Sequence, residues 1–174
     1  DTTNPTVVSW SLDLTTEVLT IQFDETVDKA LADPTQITLL NQAAISGASA
    51  YTLTSGVVLN VERYPDALLA YQYYTRLDVQ MDIVDLNELK RLDTLCTQQS
   101  SDCFISTTAS VIGDMDVGAN ANRANAVLST SAMPVYAFDP DTTRPTFVIF
   151  DGIDLNLGQV TMTFDETMDA SSLD

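Results

Sequence analysis

The chain contains a long internal repeat, because the motifs of its first 33 residues return near its end. Residues 1–6 (DTTNPT) recur as residues 141–146 (DTTRPT), and residues 23–28 (FDETVD) recur as residues 164–169 (FDETMD). The offset is 140 residues for the first motif and 141 for the second, so one residue is inserted between them, near residues 151–153. A fixed period of this kind is typical of tandem modules.

The repeat predicts how the chain is divided into domains. Residues 1–140 are predicted to form one complete module, within the ordinary size range of a domain. Residues 141–174 are predicted to be the first hairpin of the next module. Because a lone two-stranded hairpin is only marginally stable in water, we expect the 174 residues to be a window of a longer array. Repeated modules usually span distance or present a surface, which favours a structural function.

Charge and composition exclude several kinds of partner and chemistry. The chain has 25 acidic and 7 basic residues, no histidine, and a net charge of −18. Nucleic acids and anionic membranes are bound by clustered Lys and Arg, so neither is an expected partner. No stretch approaches the ~20 apolar residues of a membrane helix, so no membrane insertion is expected in this segment. Without histidine, Ser-His-Asp catalysis and histidine-ligated metals are excluded, and we expect no enzyme activity here.

The two cysteines, Cys96 and Cys103, lie close together in the sequence. Their spacing suits neither a C-x-x-C redox motif nor a zinc site, which would need histidines or a second cysteine pair. This spacing favours a local disulfide, and two free thiols in a cytosolic protein are the alternative. Because structural disulfides persist in oxidising compartments, the disulfide predicts an extracellular or cell-surface location.

Short β-rich runs separated by turn residues dominate the chain. Residues 7–23 predict a hairpin, and residues 77–83 alternate between apolar side chains and polar ones such as Asp78, which is predicted to face water. Residues 85–95 are the exception, because their leucines recur at helical spacing behind Asp85, the predicted N-cap. About seven or eight strands with one short helix in each module predict an all-β sandwich.

The motifs DTT-x-PT, L-T-[IM]-x-F and F-D-E-T-x-D resemble those of bacterial-type Ig-like repeats. In that family a D-x-x-x-P linker leads into strands that end in F-[SD]-E-x-[VM]-[DN]. Residues 111–120 (VIGDMDVGAN) resemble the closing strand and D-x-x-G-N turn of the family. The segment DLNELKRLDTLC is similar to versions found in large surface proteins of marine microbes and unicellular algae. The resemblance implies an extracellular Ig-like β-sandwich in tandem array, without catalytic residues.

Four carboxylates are predicted to meet where one module joins the next: Asp139, Asp141, Asp165 and Glu166. The first two lie in the linker. Antiparallel pairing of the repeated hairpin returns the other two to the linker, opposite residues 144–146. Such a cluster suits a hard cation that takes several oxygen ligands, and calcium is the expected ion. The alternative is that Asp139 and Asp141 are solvated linker residues, while Asp165 and Glu166 form a turn or pair with Arg144.

We expect a structural extracellular protein whose tandem modules build a cell-surface filament, flagellar hair or stalk. Its partners would be neighbouring modules or copies of itself, and its linker threonines beside proline suit O-glycosylation. The first alternative is an adhesin module that binds a ligand or glycan. It is motivated by crowded tyrosines of a kind favoured at interfaces: Tyr64, Tyr71, Tyr73 and Tyr74. The second alternative is a set of accessory repeats of an extracellular enzyme whose catalytic domain lies outside this sequence.

Overall fold

The chain divides into two compact units, Asp1–Asp141 and Thr142–Asp174. A computed structural model describes the following residues: 2–59, 75–97, 101–115 and 122–169. Within these residues, the first unit contains β-sheets and one short helix, and the second contains one β-hairpin. The helix has nine residues, and the described parts of the chain contain no helix long and apolar enough to cross a membrane.

The described part of the first unit contains eleven short strands. In chain order these are β1 (Val7–Asp13), β2 (Val18–Phe23), β3 (Val27–Asp28), β4 (Ile37–Leu40), β5 (Ala50–Thr52), β6 (Val57–Val58), β7 (Arg76–Gln80), β8 (Phe104–Thr107), β9 (Gly113–Asp114), β10 (Met133–Pro134) and β11 (Ala137–Asp139). Helix α1 (Ile83–Arg91) follows β7, and short 3-10 turns lie at Lys29–Leu31, Pro34–Gln36 and Ala109–Val111.

Two sheets form the sandwich of the first unit. One has the strand order β11-β1-β2-β7-β6, the other has the order β10-β8-β4-β5, and β3 pairs separately with β9. All pairings are antiparallel except that of β1 with β11, which is parallel. The predicted all-β sandwich is confirmed. The described part of the first unit has one short helix, as predicted, but eleven short strands rather than seven or eight.

The core follows from alternation along the central strands. In β2, Leu19, Ile21 and Phe23 are buried while the residues between them are partly exposed. In the adjacent β7, Leu77 and Val79 are fully buried, and inward residues of β4 and β8 join the same apolar cluster. Burying a side chain of this size contributes about 1.5–3 kcal/mol, so this cluster is the main source of stability of the first unit.

Helix α1 begins three residues earlier than the sequence predicts. Asp82, rather than Asp85, is the N-cap, and its Oδ1 accepts a hydrogen bond from the amide of Val84 at 2.9 Å. The predicted N-cap is therefore wrong. Both positions carry an aspartate, so local capping chemistry alone does not separate them. The side chain of Asp85 instead binds donors on a distant loop, which settles the choice in favour of Asp82.

Asp78 is also placed differently from the prediction, because it is buried rather than directed at water. Its Oδ1 accepts hydrogen bonds from Arg76 Nε and Thr20 Oγ1, each at 2.7 Å. Thr20 lies opposite Asp78 across β2 and β7, so the pairing of these two strands supplies one of the donors. Alternation predicts correctly that Asp78 is on the outer face of the sheet, but not that neighbouring side chains cover it.

The second unit is a two-stranded antiparallel hairpin of β12 (Phe147–Asp154) and β13 (Gln159–Phe164). The rings of Phe147 and Phe164 pack edge to face with their centroids 5.9 Å apart. That residues 141–174 begin a further module stays a prediction.

Candidate functional site

The two hairpins have the same strand register. Every residue pair across β1 and β2 recurs across β12 and β13, 140 or 141 positions later. Across β1 and β2 the pairs are Val7–Phe23, Ser9–Gln22, Trp10–Ile21, Ser11–Thr20, Leu12–Leu19 and Asp13–Val18. In the same order, the pairs across β12 and β13 are Phe147–Phe164, Ile149–Thr163, Phe150–Met162, Gly152–Thr161, Ile153–Val160 and Asp154–Gln159. The two hairpins are therefore repeated in strand pairing as well as in sequence.

The extra residue of the second hairpin is Asp151. Both hairpins have a register shift near the start of the first strand, but β12 has a second shift between Phe150 and Gly152. The Asp151 side chain accepts a hydrogen bond from Thr163 Oγ1 at 2.6 Å. Because a slip of one residue would turn a strand over, this β-bulge absorbs the insertion and keeps later residues on their proper faces.

The turns of the two hairpins are closed in the same way. Asp13 Oδ1 accepts hydrogen bonds from two turn amides at 2.8 and 2.9 Å, and Asp154 Oδ1 accepts from the two corresponding amides at 2.8 and 3.0 Å. The last turn residue has a left-handed backbone in both, with φ of 64° at Glu17 and 66° at Gly158. Glycine adopts this conformation without the steric cost that a side chain brings.

The aspartate of the FDET motif closes the open end of each hairpin. Asp24 Oδ1 accepts a hydrogen bond from the Thr6 amide at 2.7 Å, and the Asp24 amide donates to the Thr6 carbonyl at 3.0 Å. The same two bonds join Asp165 to Thr146, at 2.6 and 3.1 Å. The predicted return of Asp165 to residues 144–146 of the linker is confirmed by these two bonds. The motif aspartate thus joins the hairpin to its linker.

The two hairpins differ in what happens to their apolar face. In the first unit the inward residues are at most 9% exposed: Val7, Trp10, Leu12, Leu14, Leu19 and Ile21. Their counterparts in the second unit are 45–83% exposed: Phe147, Phe150, Ile153, Leu155, Val160 and Met162. These last six residues are called the hairpin apolar face below. Contiguous exposed apolar surface of this kind makes the hairpin apolar face a candidate interaction site.

In the first unit, the predicted cation ligands Asp139 and Asp141 have different environments. Asp139 is exposed at the end of β11, and its carbonyl accepts a hydrogen bond from the Leu14 amide at 2.9 Å. Asp141 Oδ2 lies 2.6 Å from Lys90 Nζ, and both side chains are less than one-fifth exposed. This ion pair joins the start of the linker to the last turn of helix α1.

The other two predicted ligands, Asp165 and Glu166, belong to the second unit. Asp165 binds Thr146 as described above, and Glu166 Oε1 is shielded from solvent. Among the described residues, no group of three or more Asp, Glu, Cys or His side chains is arranged to hold a metal ion. The four-carboxylate calcium site therefore stays a prediction.

Cys96 and Cys103 form a disulfide, as predicted. Their Cα atoms are 4.2 Å apart, slightly closer than the usual range of about 4.4–6.8 Å. Both cysteines are buried, and the Cys96 amide donates to the Asp102 carbonyl at 2.8 Å across the small loop. The alternative of two free thiols is excluded.

The four tyrosines proposed as an interface, Tyr64, Tyr71, Tyr73 and Tyr74, lie outside the described residues. The prediction that they form an interface therefore stays open.

Asp85 is the centre of a buried polar cluster that the sequence interpretation missed. Its carboxylate is fully buried and accepts hydrogen bonds from Tyr51 Oη at 2.8 Å, Thr54 Oγ1 at 2.6 Å, and the amides of Thr54 and Ser55. Burial alone would raise the pKa of Asp85, but the bonds from Thr54, Tyr51 and Ser55 outweigh it and lower this pKa. The same cluster, with burial as the largest cause, raises the pKa of Tyr51 to about 12. Asp85 thereby fastens helix α1 to the loop after β5.

Comparison with known proteins finds distant structural similarity only. No family model matches the sequence, and no curated protein matches it. Among solved structures, the S-layer protein rSbsC is 15% identical with a TM-score of 0.43, over 96% of this chain and 20% of that one. Domains 1–6 of the surface layer protein SbsC give 15% and 0.44, over 97% and 20%. This chain therefore spans about a fifth of those proteins, and at such similarity the likeness assigns neither a family nor a function.

Proposed function

We propose that this chain is part of an extracellular structural protein, in which tandem Ig-like modules build a cell-surface filament, flagellar hair or stalk. The observation that carries the proposal is the repeated hairpin, which agrees in residue pairing, turn closure and linker closure between the two units. No catalytic activity is proposed for this segment.

The residues that the repeat preserves have structural roles. Asp13 and Asp154 close the turns, while Asp24 and Asp165 join each hairpin to the linker that precedes it. A repeat that preserves backbone closure is expected of modules selected for stacking in a chain. The preserved motifs thus favour a scaffold.

The first unit holds the linkers at both of its ends. At its start, the Pro5 carbonyl accepts a hydrogen bond from the Asn125 amide at 2.7 Å, and Pro5 is buried. At its end, Asp141 pairs with Lys90 at 2.6 Å. Pro145, the counterpart of Pro5, restricts the backbone of the second linker. Short linkers anchored in this way favour a semi-rigid array over freely jointed modules.

Two further features favour an extracellular array. The Cys96–Cys103 disulfide is expected in an oxidising compartment. A net charge of −18 makes neighbouring modules repel one another, so divalent cations at the junction would reduce that repulsion. Calcium held near Asp139, Asp141, Asp165 and Glu166 is part of the proposal.

Immunogold electron microscopy on intact cells of the source organism tests the proposed function. Antibodies raised against the folded chain are expected to label a filament, hair or stalk outside unpermeabilised cells, with gold particles distributed along its length. A matched sample pre-incubated with the purified chain should lose the label. Labelling that appears only after permeabilisation would overturn the extracellular assignment, and labelling confined to a single point on the surface would overturn the array.

A further inference from the structure

The first unit shows what covers a hairpin of this kind. There β7 runs antiparallel along the outer edge of β2, and β11 runs parallel along the outer edge of β1. The inward residues of the hairpin belong to one apolar cluster with residues of β4, β8 and the segment before helix α1. Residues 29–141 are called the module body below. The module body therefore supplies the two strands that pair with the hairpin and the apolar residues that cover its inward face.

We propose that the hairpin apolar face is a docking surface for a second module body. This body would follow Asp169 in the chain, just as residue 29 follows residue 28 in the first module. The inference rests on the proposed function, because it identifies the part that would complete the second module of the array. The partner is defined by its chemistry, namely an apolar sandwich body with one antiparallel and one parallel strand edge. Asp169, the counterpart of Asp28, is the point at which that body is joined.

The strand register predicts where the second body sits. Ile21 lies opposite Leu77 across β2 and β7, so Met162 is expected opposite the corresponding leucine. Leu12 lies beside Phe138 across β1 and β11, so Ile153 is expected beside the corresponding phenylalanine. The bulge at Asp151 makes this possible, because without it the residues after the insertion would face away from the body.

One position distinguishes the two hairpins chemically. Trp10 is buried, and its Nε1 donates a hydrogen bond to the Met133 carbonyl at 3.0 Å. Phe150 occupies the corresponding position in the second hairpin and has no donor. A body identical to residues 29–141 would therefore lack this hydrogen bond to the Met133 carbonyl. The substitution Phe150→Trp should restore this bond and stabilise docking of such a body, so the experiment includes a variant that is expected to gain stability.

A tandem protein tests the proposal directly. It consists of residues 1–169 followed by residues 29–141, so that the second hairpin is offered a complete module body. Amide hydrogen exchange is measured on β12 and β13, in this protein and in the 174-residue chain. We expect exchange of the β12 and β13 amides to slow by about a thousandfold or more in the tandem protein, and to slow further with Phe150→Trp.

Three controls make the result specific. Met162→Asp puts a charge on the hairpin apolar face and should abolish the protection. Val148→Asp is the matched control, because its counterpart Val8 stays 53% exposed in the folded first unit, and it should leave the protection intact. A duplicate protein, residues 1–140 followed by residues 1–141, shows whether the appended body folds when its own hairpin precedes it.

The outcomes separate the proposal from its rivals. Unprotected β12 and β13 amides in the tandem protein, with a folded second module in the duplicate, would overturn it. Concentration-dependent dimers of the 174-residue chain with protected β12 and β13 amides would also overturn it, because a second copy would then be the occupant. Protection in the tandem protein without label on the cell surface would refute the proposed function and leave the docking surface standing.

Discussion

Alanine substitutions at two equivalent positions, Ile21→Ala and Met162→Ala, are expected to have very different effects on the free energy of unfolding of the first unit. The two residues occupy the same position in the repeated hairpin and pair with corresponding residues on the first strand. Ile21 is 0% exposed, whereas Met162 is 45% exposed. The comparison contrasts a covered position of the first unit with its exposed counterpart in the second unit, and the strand pairing at the two positions is the same.

The expected magnitude follows from the burial of Ile21. Ile21→Ala removes one methylene and two methyl groups, each worth about 0.8 kcal/mol on transfer from water. The cavity that remains adds to this loss, and measured Ile→Ala changes in cores cost about 2–5 kcal/mol. We expect Ile21→Ala to lower the free energy of unfolding of the first unit by about 3–4 kcal/mol. Met162→Ala should change it by less than about 0.5 kcal/mol, as surface substitutions do.

Urea denaturation monitored by tryptophan fluorescence provides the assay. Trp10 is the only tryptophan in the sequence and is 1% exposed, so its fluorescence reports unfolding of the first unit. With a slope of roughly 2 kcal/mol per molar urea, the Ile21→Ala midpoint should fall by between one and two molar. A loss below about 1 kcal/mol for Ile21→Ala, or an equal loss for Met162→Ala, would contradict the reasoning.

Further predictions concern the polar cluster, the disulfide and the junction. Asp85→Asn should cost about 1.5–3 kcal/mol in urea denaturation, because the buried acceptor of four donor groups loses its charge. Since folding lowers the pKa of Asp85, its contribution is present above the unfolded pKa of about 3.9 and is lost as pH falls through the folded pKa. The acid-induced loss of stability should therefore be smaller in Asp85→Asn, and an unchanged pH profile would contradict this. Replacing Cys96 and Cys103 by serine should cost roughly 2–3 kcal/mol and lower the thermal midpoint, and an unchanged midpoint would contradict it. Calcium should raise the thermal midpoint relative to chelator, and Asp141→Asn with Glu166→Gln should abolish that rise; persistence of the rise in this variant would place the cation elsewhere.

The sequence alone predicts the features that depend on local pattern or on self-comparison. The repeat locates both hairpins and places the inserted residue near Asp151, where the second bulge lies. The alternation of β2 predicts its buried face, and the spacing of Cys96 and Cys103 predicts their disulfide. Each of these follows from residues close together in the chain or from a motif present twice.

The features that the sequence did not predict depend on contacts between distant segments. Asp85 and Asp82 are equally good N-caps in isolation, and only the loop donors that reach Asp85 distinguish them. Asp78 is buried because Arg76 and Thr20 lie beside it in the folded sheet. The parallel pairing of β1 with β11 joins the two ends of the module, and no local sequence pattern predicts it.

Single-molecule stretching of the natural protein, isolated from its source with antibodies against this chain, tests the central claim most directly. A module of 140 residues should extend by about 450 Å on unfolding, at 3.3–3.6 Å per residue less its folded length. A series of unfolding events with this common increment is expected, each longer by about 20 Å once the Cys96–Cys103 disulfide is reduced. A single event, or increments without a common length, would contradict a structural array of these modules.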